Sequence, residues 1–132
     1  MTIQGALGRH YADGEVVIRQ GDAGEPLYVI EEGTVEIVVE HEGVETILRT
    51  AGPGELFGEM AAFDREARSA TVRARGEARI LTLDRRNFLR RINEDPTLGF
   101  KIIDTMARRI RDLSAEVVEL EAALRARGTG TP

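Results

Sequence analysis

Short apolar stretches separated by glycine-containing turns occupy the chain from Leu7 to Leu83. This spacing is typical of a small all-β barrel or sandwich. The alternation is clearest in segment 35–40, where apolar Val35, Ile37 and Val39 are interleaved with glutamates, as expected when one face of a sheet is buried. The pattern predicts strands near Gly8–Tyr11, Glu15–Arg19, Leu27–Glu31, Val35–His41, Glu45–Leu48, Ala70–Arg75 and Ala78–Leu83.

Turn-forming residues stand between these strands. Pairs such as Asp13-Gly14, Glu32-Gly33 and Glu42-Gly43 combine a residue that tolerates turns with a glycine that permits positive φ. We interpret these glycines as turn residues, and contact with a ligand is the alternative interpretation.

The hydrophobic period becomes helical after Leu83. Asp84 predicts the N-cap of a short helix over residues 85–92, with Phe88, Leu89 and Ile92 facing inward. Asp95 and Pro96 then suit the cap and the first residue of a long helix over 96–125. The fold class predicted is mainly β with helices (α+β): a β-roll or jelly-roll barrel over about 7–83, then the two helices. We expect one domain over residues 1–127 and a disordered tail over 128–132.

The long helix carries an apolar stripe with heptad spacing. Its members alternate steps of three and four residues: Ile103, Met106, Ile110, Leu113, Val117, Leu120 and Leu124. Mostly β-branched residues at one heptad position and unbranched residues at the other favour a parallel two-stranded coiled coil, and hence a homodimer. The alternative is that the stripe packs on the chain's own barrel. One feature opposes a tight coiled coil: Glu116 and Glu121 would face each other across a parallel pair of helices and repel.

Composition narrows the possible functions. The net charge of −5 has the wrong sign for a nucleic-acid-binding surface. No apolar run approaches the ~20 residues of a membrane span, and the N-terminus has no apolar signal region. We therefore expect a cytoplasmic protein that binds neither membrane nor nucleic acid. Because cysteine is absent, disulfides and thiol catalysis are excluded.

Nothing in the sequence predicts catalysis or a metal site. His10 and His41 are the only histidines, they fall on predicted surface strands, and their spacing does not match that of metal ligands. No nucleophile–base arrangement or carboxylate pair is evident. We expect no enzyme activity, no metal and no cofactor.

One stretch, Gly54–Ala74, has the chemistry of a small anion site. Phe57 to Ala61 resemble a strand end that turns into a short helix, whose free amide groups suit an anionic oxygen. The guanidinium fork of Arg68 matches phosphate oxygens, and Ser69 adds a hydroxyl group. Glu59 can accept a hydrogen bond from a sugar hydroxyl. The alternative interpretation is that Arg68 is a solvated surface charge.

Three stretches of the chain resemble parts of cyclic nucleotide-binding domains. Phe57-Gly58-Glu59-Met60-Ala61, followed by Arg68-Ser69-Ala70-Thr71, is similar to that family's phosphate-binding cassette. The segment from Tyr11 to Val35, which contains Gln20-Gly21-Asp22, Gly24 and Leu27-Tyr28, is similar to the family's first strands. Met106-Ala107-Arg108-Arg109 resembles the start of its C-terminal helix. The resemblance extends from about Tyr11 to Ser114.

The resemblance implies a cyclic nucleotide as the ligand, with cyclic AMP as the first candidate and cyclic GMP as the second. By position, the cassette residues would bind the cyclic phosphate and Glu59 the ribose 2′-hydroxyl. Arg109 would pair with that glutamate, and Ser114 would reach the ligand of a partner copy. The ligand-binding residues predicted in this way are Gly58, Glu59, Met60, Ala61, Arg68, Ser69, Ala70, Arg109, Leu113 and Ser114.

The chain departs from the family pattern at the base-binding position and at its ends. Leu113 stands where bacterial catabolite activators have a threonine that contacts adenine, so discrimination between cyclic AMP and cyclic GMP is expected to be weak. We expect a free-standing sensor without an output domain, which signals to a separate protein through its C-terminal helix. The alternative is a dimeric scaffold of the same fold without a working nucleotide site.

Overall fold

The computed structural model of the protein describes residues 8–128. Six strands and three helices follow one another in these residues: β1 (Arg9–Tyr11), β2 (Val16–Ile18), β3 (Leu27–His41), β4 (Val44–Ala51), β5 (Leu56–Phe57), α1 (Glu59–Asp64), β6 (Thr71–Leu83), α2 (Arg85–Glu94) and α3 (Pro96–Gly128). This order of a β-rich segment followed by a short and then a long helix confirms the predicted fold class.

The strands form one antiparallel sheet built around the two longest, β3 and β6. The order is β1-β6-β3-β4, with β2 also paired to β6 and β5 also paired to β3. Strand β3 therefore has β6 along one edge, while β4 and β5 share its other edge. This arrangement brings β5, which leads into α1, alongside Tyr28 and Val29 at the start of β3.

The prediction of a turn at Glu32-Gly33 was wrong, because β3 runs through this pair without ending. Gly33 has φ 88°, and the register with β6 shifts on both sides of Glu32. A Cβ at Gly33 would lie 2.3 Å from the Glu77 carbonyl oxygen, closer than non-bonded atoms approach. The glycine thus allows an irregularity within a continuous strand. Likewise, β6 passes through Gly76, where we predicted an interruption.

The main core lies on one face of the sheet. Val35 and Ile37 are buried in it as predicted, whereas Val39 is only half-buried and Val38 is buried instead. The pairing of β3 with β4 shifts between Ile37 and Val38, and this irregularity ends the simple alternation. The core cluster comprises Tyr11, Ile18, Ile30, Val35, Ile37, Ala51, Phe57, Val72, Ala74, Ala78 and Ile80.

The chain divides into two compact units after Leu89, and each is described by itself. In the first unit, Asp84 caps α2 as predicted, since its Oδ1 accepts a hydrogen bond of 2.7 Å from the Asn87 amide. Phe88 is buried, but Leu89 is exposed, contrary to the prediction. The prediction of a single domain over residues 1–127 stays a prediction.

The second unit contains α3, a helix of 33 residues. Asp95 Oδ1 accepts a hydrogen bond of 3.1 Å from the Thr97 amide, which is the predicted cap. The helix continues to Gly128, three residues beyond the predicted end, and none of its residues is buried. Residues 129–132 of the predicted tail lie outside the described residues. Between residues 8 and 128, the structure has no helix that is long and apolar enough to cross a membrane.

Candidate functional site

Gly58 forms the turn between β5 and α1. Its φ of 80° and ψ of 3° place it in the left-handed region, which a residue with a Cβ adopts only at a cost of about 1–2 kcal/mol. A Cβ at this position would lie 2.9 Å from Arg68 Nη1 and 3.1 Å from Ile18 Cδ1. Glycine is therefore required here both for the backbone conformation and for the close packing of Arg68.

Arg68 is buried, with only 6% of its surface exposed. Its Nη1 donates a hydrogen bond of 2.9 Å to the Gly58 carbonyl, and its Nη2 donates one of 2.7 Å to the Pro26 carbonyl. Carbonyl oxygens satisfy these donors but do not neutralise the positive charge. Because the side chain is buried, the alternative interpretation of Arg68 as a solvated surface charge is wrong.

The backbone of Arg68 is tied to the same loop as its side chain. The Arg68 amide donates to the Asp22 carbonyl at 2.9 Å, and the Arg68 carbonyl accepts from the Gly21 amide at 2.8 Å. Gly24 packs directly on the guanidinium, because a Cβ there would lie 3.0 Å from Nη2. The loop over residues 21–26 and the cassette therefore hold the arginine from two sides.

An aromatic pair lies beside the arginine. The rings of Tyr28 and Phe57 stack with centroids 5.1 Å apart and an interplanar angle of 10°, and the two residues are register partners in β3 and β5. The guanidinium carbon of Arg68 lies 5.9 Å from the centroid of the Tyr28 ring, within the range of a cation–π interaction. Burial raises the pKa of Tyr28, and the positive charge of Arg68 opposes this rise in part.

The remaining cassette residues differ in their exposure. Glu59 begins α1 and is buried, as is Ala61. Met60 is exposed, and so is Ser69, whereas Ala70 is half-buried. The described contacts join Arg68 directly to Gly58, so the structure brings together the two halves of the cassette.

Three predicted site residues lie on α3, in the second unit. Leu113 is exposed, and Ser114 is exposed with its hydroxyl donating a hydrogen bond of 2.8 Å to the Ile110 carbonyl one turn earlier. Arg109 is half-buried and has an interaction partner. Ile110, Leu113, Ser114 and Val117 line a shallow groove on the helix surface.

Sequence reasoning missed three residues that contact the Arg68 side chain. The Pro26 carbonyl accepts from it, Gly24 packs on it and the Tyr28 ring lies beside it. Gly24 and Tyr28 belong to the motif of the first strands, and membership of that motif was the only sign in the sequence that they contact the site. Every residue has a backbone carbonyl, so the sequence gives no sign that the carbonyl of Pro26 is an acceptor for Arg68.

In residues 8–128, no group of three or more histidines and carboxylates could hold a metal ion.

Comparison with known proteins agrees with this geometry. Residues 8–95 match the sequence profile of the cyclic nucleotide-binding domain. The chain therefore belongs to the cyclic nucleotide-binding domain family.

Two curated relatives show how the domain is used elsewhere. The chain is 36% identical over 118 residues to the cyclic AMP receptor protein of Thermus thermophilus, a match that covers 87% of this chain and 55% of the relative. It is 43% identical over 81 residues to a cAMP-dependent protein kinase regulatory subunit of Blastocladiella emersonii, covering 61% of this chain and 20% of that one. The chain thus spans about half or less of these relatives.

A solved structure supports the fold. The Thermus thermophilus catabolite activator protein superimposes on the chain with a TM-score of 0.77 and 36% identity, covering 86% of this chain and 54% of that one. The relatives are named as a receptor and a regulatory subunit. The chain is thus a cyclic nucleotide-binding domain similar to those of regulatory proteins.

Proposed function

We propose that this domain is a sensor that binds a cyclic purine mononucleotide, with cyclic AMP as the first candidate and cyclic GMP as the second. The observation that carries the proposal is the buried guanidinium of Arg68, which packs on the Gly58 turn of the cassette. The two hydrogen bonds to carbonyls use two of the five donors of a guanidinium. A bound phosphate would add the negative charge that the carbonyls do not supply.

The roles that we propose in the first unit follow from the chemistry of each group. The amide groups of 58–61, the Arg68 guanidinium and Ser69 would hold the cyclic phosphate. Glu59 would accept a hydrogen bond from the ribose 2′-hydroxyl. Met60 and Ala70 would border the ligand with their exposed and half-buried surfaces.

The roles that we propose on α3 rest on the family resemblance. Arg109 would link the helix to the ribose side of the ligand, and Leu113 and Ser114 would lie near the base. Leu113 offers no hydrogen bond to distinguish adenine from guanine, so the two cyclic nucleotides should bind with similar affinity. A receptor that contacts the base through a polar side chain would instead discriminate between the two nucleotides.

We also propose that α3 carries the signal to a separate protein and joins two copies of the chain. Most members of its apolar stripe are exposed in the single chain, among them Ile103, Ile110 and Leu120. A second copy of the helix would cover them in a parallel coiled coil. The role would then be regulatory rather than catalytic.

Calorimetric titration of the intact chain with cyclic AMP and with cyclic GMP tests the ligand. We expect affinity for at least one of them in the micromolar range, which corresponds to about −8 kcal/mol. The matched control is 5′-AMP, which has the same base and sugar but an open phosphate with a different shape and charge, and it should bind much more weakly. Absence of heat with both cyclic nucleotides at high micromolar concentration would contradict the proposal.

Amide hydrogen exchange tests the signalling step. If ligand binding changes the state of α3, protection of its amides should differ between the free chain and the chain saturated with cyclic AMP. The strands of the sheet core serve as the internal reference, since their exchange should change little. Identical exchange along α3 in both states would exclude the helix as the signalling element.

A further inference from the structure

Tyr28 occupies a rigid place in the sheet. It lies in β3, where its register partners are Phe57 on β5 and Thr82 on β6. Since strands flank it on both sides and its ring stacks on Phe57, the backbone and the first side-chain torsion are both constrained. The ring is a fixed surface rather than a mobile one.

The turn of Gly58 lies close to both this ring and the arginine. A Cβ at Gly58 would lie 3.3 Å from Tyr28 Cδ2 and 2.9 Å from Arg68 Nη1. The Tyr28 ring therefore supports the cassette turn and lies beside the guanidinium, which is 5.9 Å from its centroid. Two hydrogen bonds hold the ends of the guanidinium fork, and the ring is a further neighbour of the same group.

We propose that Tyr28 is a positioning residue, whose ring holds the Arg68 guanidinium against the Gly58 turn in the orientation that receives the phosphate. The ring acts through two contacts: an electrostatic attraction between its face and the cation, and the packing that keeps the Gly58 turn closed. Both require an aromatic ring, and neither requires the phenolic hydroxyl. This inference rests on the proposed function, since it assigns Tyr28 to the same site.

Two substitutions separate the ring from the hydroxyl. Tyr28→Phe keeps the ring and should bind cyclic AMP within about twofold of the native affinity. Tyr28→Leu removes the ring and should weaken binding about tenfold, the size expected for a desolvated cation–π contact. Equal affinity of the leucine and phenylalanine variants would overturn the proposal.

Tyr11→Leu is the matched control for general loss of an aromatic residue. Tyr11 is buried, whereas Tyr28 is half-buried, and another arginine, Arg9, lies 4.7 Å from the centroid of the Tyr11 ring. This variant should lose stability and keep the native affinity when measured at a temperature where it is fully folded. A tenfold loss of affinity in Tyr11→Leu as well would show that core disruption, not positioning, explains Tyr28→Leu.

A ligand-free measurement keeps the inference separate from the proposed function. The side-chain Nε–H resonance of Arg68, identified by its absence from Arg68→Leu, should exchange slowly with water in the native chain and in Tyr28→Phe. It should exchange faster in Tyr28→Leu, because the guanidinium is no longer held. Unchanged exchange in Tyr28→Leu would overturn the positioning role, whereas a native chain that binds neither cyclic nucleotide would overturn the proposed function.

Discussion

Arg68 Nη1 donates a hydrogen bond of 2.9 Å to the carbonyl of Gly58, ten residues earlier in the chain. This contact joins the two halves of the cassette, the turn that begins α1 and the segment that leads into β6. It places a buried cation beside the first turn of α1. An anion bound there would meet both.

Replacing Arg68 with leucine should weaken cyclic nucleotide binding by about 3–5 kcal/mol, because the phosphate charge would be buried without its partner. The same change leaves the carbonyls of Gly58 and Pro26 without their donor, so unfolding free energy should also fall by about 1–3 kcal/mol per group left unsatisfied. Calorimetry and urea denaturation measure the two effects. Arg86→Leu, which removes an exposed arginine, is the control, and unchanged affinity in Arg68→Leu would place the phosphate elsewhere.

Gly58→Ala tests the packing of the turn separately from its backbone conformation. Gly43 has nearly the same φ, 79° against 80°, but nothing lies within 4 Å of where its Cβ would be. Both alanine variants should lose about 1–2 kcal/mol of stability from the left-handed backbone. Gly58→Ala should lose more stability than Gly43→Ala, because its methyl group displaces the Arg68 guanidinium. For the same reason, only Gly58→Ala should bind cyclic AMP at least tenfold more weakly than the native chain. Equal effects on stability and binding in both variants would show that the contact with Arg68 does not matter.

The pKa of Tyr28 predicts a loss of stability in alkali. Burial raises this pKa above its ordinary value near 10, so folding favours the protonated phenol. The resulting contribution to stability is complete below pH 10 and is lost as the pH rises through the raised pKa of the folded state. Urea denaturation between pH 8 and 11, pH values chosen to bracket that of about 10 for a free phenol, should give a steeper fall for the native chain than for Tyr28→Phe. Parallel curves would contradict the assignment.

Features fixed by neighbouring residues could be predicted from the sequence. Asp84 and Asp95 were identified as caps because an N-cap bonds to an amide only two or three residues away. The cassette was identified by its resemblance to a family motif, because the chemistry of the residues alone left open that Arg68 is a solvated surface charge. Both features are visible within a few positions of the chain.

Features that depend on distant pairing could not be predicted. Gly33 and Gly76 resemble turn glycines in sequence, but the long pairing of β3 with β6 carries each strand through its glycine. The Pro26 carbonyl lies 42 residues from Arg68 in sequence, and every residue offers a carbonyl. Leu89 follows the helical pattern of a buried residue and is nevertheless exposed, because the period of a helix does not reveal how much of its face is covered.

Leu120 allows the homodimer to be tested by a substitution outside the predicted ligand-binding residues. Leu120 belongs to the stripe and is exposed, whereas Ala122 is exposed but falls on the opposite face by heptad position. At micromolar concentration the native chain and Ala122→Glu should sediment as dimers, and Leu120→Glu as a monomer, because the glutamates would be buried against each other in a coiled coil. A far-ultraviolet circular dichroism spectrum like that of the native chain would show that the monomeric variant is folded. If all three sediment with the same mass, the stripe does not join two copies.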